Sequence, residues 1–473
     1  MPSQLRVSFV VIGLLTSVSL LNGEQPRDLR AATGRSIETE TSAVPFADGD
    51  RICFLGDSIT AGGYYQTIIS NYYLTRYPDR QYQFINAGRS GDTAGGALKR
   101  LQEDVIDKRP TSVVIMFGMN DVYRHTYVDN PTEDDMRKQK FALDRFRENM
   151  TKLVDRLKRD ANNPKLVFLT PTPFDQTVIL DRENQPGCND GLARCASIVR
   201  NIARANDASL VDLHGPMTEF NLRQQQTDPT YTIVGPDRIH PRDEGRLMMS
   251  WLILRAQHVP PIISGVAIDV PNSDTADCTN AVISNISASS SEIQFEMLEN
   301  ALPLPIESRL RQFSSLLPIA NDLCQQIVSV RGLDDGKYEI RIDGTTVAEH
   351  TNRDLEHGIN LALNKLTPMY QQALTVTQLN SKRREAEALA CSLLNTRRWM
   401  QRHYQIDVDD PEAVQAHYDS FDDKRQYNAS MAKRYIEHWP RYAEILEEVK
   451  TYQAEIEKHR APTTHLFQIT RIP

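Results

Sequence analysis

Short apolar runs alternate with longer amphipathic stretches over the first half of the chain. Each apolar run has the length of a strand, and each stretch that follows has helical periodicity. The predicted strands are residues 51–55, 82–86, 112–117, 165–170 and 209–213. The predicted helices are residues 64–76, 94–107, 133–159, 191–206 and 242–257. This alternation predicts a buried parallel sheet with helices on both faces, a three-layer α/β/α sandwich over residues 47–260.

The pattern changes after Pro260 and Pro261, which cannot continue the last of these helices. Short strands are predicted at residues 262–270, 281–288, 292–298, 327–330 and 338–342, with a helix near 307–316. From residue 355 to residue 459 the pattern is helical, and its two or three helices should pack back on the chain because they are not stable alone. We therefore expect a small β-rich module over 261–350 and a helical C-terminal region over 351–473.

The N-terminus has the pattern of an export signal. Arg6 precedes an uncharged apolar run from Val7 to Leu21, which is short for a membrane span. We expect a signal peptide over residues 1–23, a polar linker over 24–46, and a secreted or periplasmic protein with no stable membrane insertion after cleavage. No clear cleavage site follows the apolar run, so an uncleaved anchor is the alternative.

Charge and composition narrow the possible partners. The 473 residues include 54 basic and 62 acidic side chains, a net charge of −8, so a nucleic acid would be repelled on average. The basic cluster Lys382-Arg383-Arg384 lies among helix formers and is interpreted as a solvated helix face. Nothing in the sequence indicates the oligomeric state.

Six cysteines fit an oxidising compartment without requiring one. Cys188 and Cys195 flank a polar stretch that a disulfide could close, and Cys278 with Cys324 could form a second bridge. Cys53 lies in an apolar strand and is expected to be a buried thiol. No Cys-x-x-Cys pair suggests a metal site.

Polar motifs follow three of the predicted strands. Gly56-Asp57-Ser58-Ile59-Thr60 comes between the first strand and a helix, which places Ser58 at the sheet edge where open α/β folds bind ligands. Gly-Asp-Ser is also an ordinary turn and helix cap. Gly91 and Asn120 follow the second and third strands, where a backbone N–H and a side-chain amide could stabilise a negative oxygen. A tight turn would explain either motif equally well.

A fourth motif, Gly235-Pro-Asp-Arg-Ile-His-Pro241, precedes the last helix of the sandwich. Asp237 and His240 are three residues apart, so one loop can carry a general base and the carboxylate that orients its ring. His240 also precedes a proline, which biases its backbone away from helical geometry.

Together, the four motifs resemble the blocks that give SGNH (GDSL-like) hydrolases their name, in the same order and with similar separations. The resemblance covers about residues 50–257 and implies a flavodoxin-like SGNH fold. It makes Ser58 the nucleophile and one oxyanion donor, Gly91 and Asn120 the other donors, and Asp237 with His240 the rest of a triad. It implies no cofactor and no metal. Gly-Asp-Ser-Ile replaces the usual Gly-Asp-Ser-Leu, which leaves the serine in place.

We expect a serine esterase that removes O-acetyl or other short acyl groups from carbohydrate. Tyr64, Tyr65, Tyr123 and Tyr127 lie near the catalytic motifs and could stack on sugar rings, or belong to the core. A lipase or lysophospholipase is the enzymatic alternative. A non-catalytic glycan-binding or envelope scaffold protein is the alternative of another class.

Overall fold

A five-stranded parallel sheet forms the centre of the first half of the protein. The computed structural model describes residues 41–272 and 276–473. The strands of this sheet are β1 (Arg51–Gly56), β2 (Gln83–Gly88), β3 (Ser112–Met116), β4 (Lys165–Leu169) and β5 (Ser209–Val211). Their order is β2-β1-β3-β4-β5, and every pair is parallel. The predicted parallel sheet is therefore confirmed.

Helices cover both faces of this sheet. They are α1 (Ser58–Ala61), α2 (Tyr64–Arg76), α3 (Ala94–Asp104), α4 (Glu133–Asp160), α5 (Cys188–Ala205), α6 (His214–Gln225) and α7 (Asp243–Ala256). On one face, Cys53 and Leu55 of β1 share a core with Leu101 of α3 and with residues of α4 and α5. On the other face, the ring of Phe54 lies 5.8 Å from that of Tyr65 on α2. Successive residues of a strand point to opposite faces, so this burial requires the predicted three-layer sandwich.

The sequence pattern did not predict helix α6. Its buried residues include Met217 and Phe220, but polar side chains surround them and no apolar stripe extends along the helix. Elsewhere in the sandwich, the predicted elements agree with the structure to within a few residues.

Two further sheets follow the sandwich. Their strands are β6 (Ile262–Asp269), β7 (Ala276–Thr279), β8 (Ala281–Ala288), β9 (Glu292–Glu299), β10 (Gln325–Arg331), β11 (Lys337–Ile342), β12 (Thr345–Thr351), β13 (Ile359–Asn360) and β14 (Thr464–Ile472). One sheet has the order β13-β10-β6-β7, and the other has the order β12-β11-β14-β9-β8. All pairs are antiparallel except β6 with β10. The expected β-rich part is present, with more strands than the pattern predicted.

Strand β14 lies at the centre of its sheet, although it comes from the predicted helical region. It pairs with β11 on one side and with β9 on the other. The domain boundary drawn at residue 350 stays a prediction, but the parts on either side of it share this sheet.

Two short helices lie between the later strands, and the other remaining helices confirm a helical C-terminal region. Together they are α8 (Arg311–Ser314), α9 (Ile319–Leu323), α10 (Asn352–His357), α11 (Pro368–Tyr404), α12 (Pro411–Asp419), α13 (Tyr427–His438) and α14 (Tyr442–His459). The longest, α11, packs against the sandwich, where Asn380 donates a hydrogen bond to Ser70 of α2 at 2.8 Å. In the part of the chain that the structure describes, no helix is both long and apolar enough to cross a membrane.

Two expectations from the sequence are wrong. Of the cluster Lys382-Arg383-Arg384, only the lysine is exposed, because both arginines are turned into the packed side of α11 and are 8% exposed. The suggested disulfides are absent, since all six cysteines are free thiols. Cys188 and Cys195 both lie on α5, two helical turns or about 10 Å apart, beyond the reach of a disulfide. Cys53 is buried as expected, and burial raises its pKa to about 12.

Candidate active site

Ser58 begins helix α1 directly after the carboxyl end of β1. The side chain of Asp57 caps this helix by accepting a hydrogen bond from the Ile59 N–H at 3.0 Å. Residue 56, directly before Asp57, must be glycine, because a Cβ on Gly56 would lie 2.7 Å from the carbonyl oxygen of Met116 on β3. The chain can therefore turn sharply from strand to helix, and it leaves Ser58 half-buried at the sheet edge.

Asp237 and His240 lie on one tight turn ahead of α7. The Gly235 N–H donates to the His240 carbonyl, and Oδ1 of Asp237 accepts from the Ile239 and His240 N–H groups, each at 3.0 Å. Arg238 lies between them with a φ of 63°, in the left-handed region. Its buried guanidinium anchors the turn by donating to the carbonyls of Asp175 and Val178 at 3.0 and 2.8 Å.

Side-chain hydrogen bonds connect these two segments. Ser58 Oγ lies 2.7 Å from His240 Nε2, and His240 Nδ1 lies 2.5 Å from Asp237 Oδ2. Burial raises the pKa of Asp237, but hydrogen bonds from His240 and from backbone N–H groups outweigh burial and hold the pKa below its usual range. A carboxylate at Nδ1 favours the tautomer with the proton on Nδ1, which leaves Nε2 free to accept the serine proton. The imidazole is 45% exposed, so a substrate can reach it.

The three predicted oxyanion donors are tied together by short contacts. Asn120 Nδ2 donates to the carbonyl of Asp92 at 2.9 Å, directly beside Gly91. The N–H of Arg89 donates to the Gly56 carbonyl at 3.0 Å, which joins the Gly91 loop to the Ser58 segment. Gly91 has a φ of 72° and is exposed, and no atom lies within 4 Å of the place where a Cβ would be.

Buried charged residues hold the loops of Gly91 and Asn120 in place. The sequence motifs alone do not identify these residues. Asp121 accepts hydrogen bonds from the N–H groups of Ala94 and Gly118 at 3.0 and 3.2 Å, and burial raises its pKa to about 7. Arg100 of α3 is 6% exposed and binds Asp92 at 2.7 Å. Arg100 lies one helical turn after Ala97, on the buried side of α3, and this position in the helix is the sequence signal for a buried ion pair.

Two of the four tyrosines proposed for sugar stacking belong to the core. Tyr65 is 1% exposed and Tyr127 is 6% exposed, so neither can offer its ring face to a sugar. Tyr64 is 55% exposed and packs against the guanidinium of Arg246, 3.7 Å from the ring centre. Tyr123 is half-buried beside His125.

Residues 54–246 match the model of the GDSL-like Lipase/Acylhydrolase family. The chain therefore contains a domain of this family, and the protein is an SGNH-type esterase with further structure at its C-terminus. The enzyme class inferred from the four motifs is confirmed.

Two relatives show what the chain is similar to. An acetylxylan esterase from Geobacillus stearothermophilus is 26% identical over 222 residues, which cover 44% of this chain and 93% of that protein. The solved structure of a gut microbial diltiazem-metabolizing enzyme is 28% identical, with a TM-score of 0.80 over 92% of this chain and 100% of that one. This second structure shares the C-terminal sheets and helices as well as the sandwich.

Proposed function

We propose that the protein hydrolyses O-acetyl or other short acyl esters of carbohydrate, with Ser58 as nucleophile and His240 and Asp237 as the rest of a catalytic triad. The continuous hydrogen-bond chain from Ser58 Oγ through the imidazole to the Asp237 carboxylate carries this proposal. Such a chain activates a hydroxyl that is otherwise a weak nucleophile.

In the proposed mechanism, His240 Nε2 takes the Ser58 proton as Oγ attacks the ester carbonyl. The carbonyl oxygen becomes negative and accepts hydrogen bonds from the N–H groups of Ser58 and Gly91 and from the Asn120 amide. The protonated His240 then gives its proton to the departing sugar hydroxyl. A water molecule, deprotonated by the same imidazole, releases the acid from the acyl-enzyme and restores the serine.

Similarity and exposure both support a carbohydrate alcohol. The acetylxylan esterase aligns over 93% of its own length with 44% of this chain. His240 and Gly91 are exposed, which suits an ester on a bulky sugar chain. Tyr64 offers an exposed ring next to the α1 segment, and a sugar face can stack on such a ring.

The test is hydrolysis of p-nitrophenyl esters from acetate to palmitate, followed by acetate release from acetylated xylan. We expect a preference for acetate that disappears in Ser58→Ala. Ser197→Ala is the matched control, because its exposed hydroxyl bonds only within α5. A preference for palmitate would favour a lipase or lysophospholipase. Full turnover in Ser58→Ala would overturn the triad, and no turnover in the wild type would favour the scaffold alternative.

A second candidate substrate comes from the similarity over the whole chain. The diltiazem-metabolizing enzyme shares both the sandwich and the C-terminal half with this protein. Diltiazem is therefore a second compound to test. Ser58-dependent turnover of diltiazem that exceeds turnover of acetylated xylan would favour a small-molecule substrate over a polysaccharide.

We also propose that the protein acts outside the cytoplasm. This rests on the apolar run behind Arg6, which lies outside the described residues. Fractionation of cells that express the full chain, compared with a chain lacking residues 1–23, tests it. Esterase activity in the exported fraction of the full chain alone is the expected result, and equal cytoplasmic activity from both chains would contradict it.

A further inference from the structure

An arginine outside the family domain reaches the segment behind Ser58. Arg384 lies on α11, well beyond residue 246, and is 8% exposed. One guanidinium nitrogen donates to the carbonyl of Phe84 on β2 at 2.9 Å, and another donates to Oε1 of Gln66 on α2 at 2.9 Å. The C-terminal region thus contributes a buried cation to the interior of the sandwich.

Gln66 connects Arg384 to helix α1, which carries Ser58. Its side chain is fully buried, and its Nε2 donates to the carbonyl of Thr60, the third residue of α1, at 2.8 Å. The next carbonyl, of Ala61, accepts from the side chain of Asn86 at 3.1 Å. A helix of 4 residues is not stable by its few backbone hydrogen bonds alone, so contacts from outside help to hold it in place.

The chemistry of its two partners decides which way the Gln66 amide points. A guanidinium only donates and a backbone carbonyl only accepts, so the amide must direct Oε1 to Arg384 and Nε2 to Thr60. Without the arginine, Oε1 of the buried amide would lose this donor, and a buried acceptor left without a donor favours a shift of the side chain. Arg384 forms an ion pair with Glu387 of the same helix at 3.6 Å, whereas its two hydrogen-bond acceptors in the sandwich are neutral. Burying a cation costs free energy unless it is paired and hydrogen-bonded, and the two neutral acceptors complete the hydrogen bonding of this one.

We propose that Arg384 is a positioning residue for Ser58, which it holds in place through Gln66 and the end of α1. This rests on the proposed role of Ser58 as nucleophile. The C-terminal helix α11 then contributes one positioning residue to the active site.

Arg384→Met in the full chain tests the proposal. We expect kcat for p-nitrophenyl acetate to fall roughly 10- to 100-fold, because small misplacements of a nucleophile have effects of this size. KM should change little, since the groups around the ester are untouched. The matched control is Arg383→Met, which removes an equally buried guanidinium whose hydrogen bonds go to Asn380 and Glu387 on α11 itself. Its kcat should equal that of the wild type.

A second variant separates positioning from folding. Gln66→Glu keeps an acceptor for Arg384, now a carboxylate paired with the guanidinium, and replaces the donor to the Thr60 carbonyl with an oxygen, so the protein should stay folded while kcat falls. Gln66→Met is measured as well, and in the double variant Gln66→Met/Arg384→Met kcat should be no lower than in the slower of these two single variants, because both act through one contact.

Three results would overturn the proposal. They are a wild-type kcat in Gln66→Glu, equal losses in Arg384→Met and Arg383→Met, or losses that multiply in the double variant. Ser58→Ala is measured in parallel. Turnover that survives in Ser58→Ala refutes the proposed function, whereas Ser58-dependent turnover that Gln66→Glu leaves unchanged refutes only the role of Arg384.

Discussion

The imidazole of His240 lies between the hydroxyl of Ser58 and the carboxylate of Asp237, and the two contacts have different functions. Asp237 orients the ring and stabilises its charged form, so Asp237→Asn should leave the turn in place but favour the wrong tautomer. We expect kcat for p-nitrophenyl acetate to fall on the order of 10⁴-fold with little change in melting temperature. Asp228→Asn, an exposed carboxylate in the loop after α6, is the control. A loss below about tenfold would remove Asp237 from the proposed triad.

The residues that make these contacts could be predicted from the sequence, but most of their supports could not. Ser58, Asp237 and His240 lie in short motifs at strand ends, where the topology of a parallel sheet brings polar groups together. Arg100 and Arg384 lie inside helices, where a charged residue usually faces water. Their burial depends on which helix packs on which segment, and this information is not local.

The buried carboxyl group of Asp121 should make stability depend on pH. Burial raises its pKa to about 7, whereas an exposed aspartate has a pKa near 3.8. Below about pH 4 both the folded and the unfolded chain hold the proton, and this contribution to stability is complete. Between about pH 4 and 7 only the folded chain holds it, so the free energy of unfolding falls as the pH rises.

Urea unfolding between pH 4.5 and 8 measures this effect. Asp121→Asn should flatten the decline, because the amide is neutral at every pH. Asp57, whose pKa burial raises to about 6, adds to the decline with the same sign and should leave a residual slope. Asp134→Asn on the exposed face of α4 should reproduce the wild-type slope. A wild-type slope in Asp121→Asn as well would mean that Asp121 is ionised in the folded protein.

At the scale of elements, the close approach of β2 to α1 fixes the position of the serine. A Cβ on Gly88 would lie 2.1 Å from the backbone nitrogen of Ala61, so Gly88→Ala must push α1 away. We expect the free energy of unfolding to fall by about 3 kcal/mol and kcat to fall with it. Gly265→Ala is the control, because neither glycine has a positive φ and a Cβ on Gly265 would meet its nearest atom, in Thr279, at an ordinary 3.6 Å. Urea unfolding and ester hydrolysis measure the two effects. The prediction is contradicted if the two variants have the same free energy of unfolding and the same kcat.

Elements with a clear hydrophobic pattern of their own can be predicted from the sequence. Elements that depend on pairing with distant residues cannot. All five residues of β3 are buried, and its apolar run identifies it as a central strand. Strand β14 alternates buried Phe467 and Ile469 with more exposed positions, which is a strand pattern. It follows a long helical stretch, however, and its partner β9 lies about 170 residues earlier in the chain. The pattern of the region as a whole therefore predicts helices.

For the whole molecule, the position of β14 means that the end of the chain completes a sheet begun in the middle of the sequence. Pairing across such a separation has a high cost in loop-closure entropy and slows folding, so we expect this sheet to form late. The same helices contact the sandwich through Asn380 and Arg384. We therefore expect the sandwich and the C-terminal half to unfold together.

Phe467→Ala tests this coupling, because Phe467 stacks on Phe295 with ring centres 5.0 Å apart, at a distance in sequence from every proposed catalytic group. The truncation should reduce the free energy of unfolding by about 3–5 kcal/mol. Residual esterase activity and tryptophan fluorescence should be followed across one urea series, with the exposed Tyr427→Ala as control. If the molecule is one cooperative unit, both signals shift to the same lower urea concentration, although kcat without urea is unchanged. If activity persists after the fluorescence of Trp399 and Trp439 in the C-terminal region is lost and only that of Trp251 on α7 remains, the sandwich folds independently, and the contacts of α11 can tune the active site without holding the domain together.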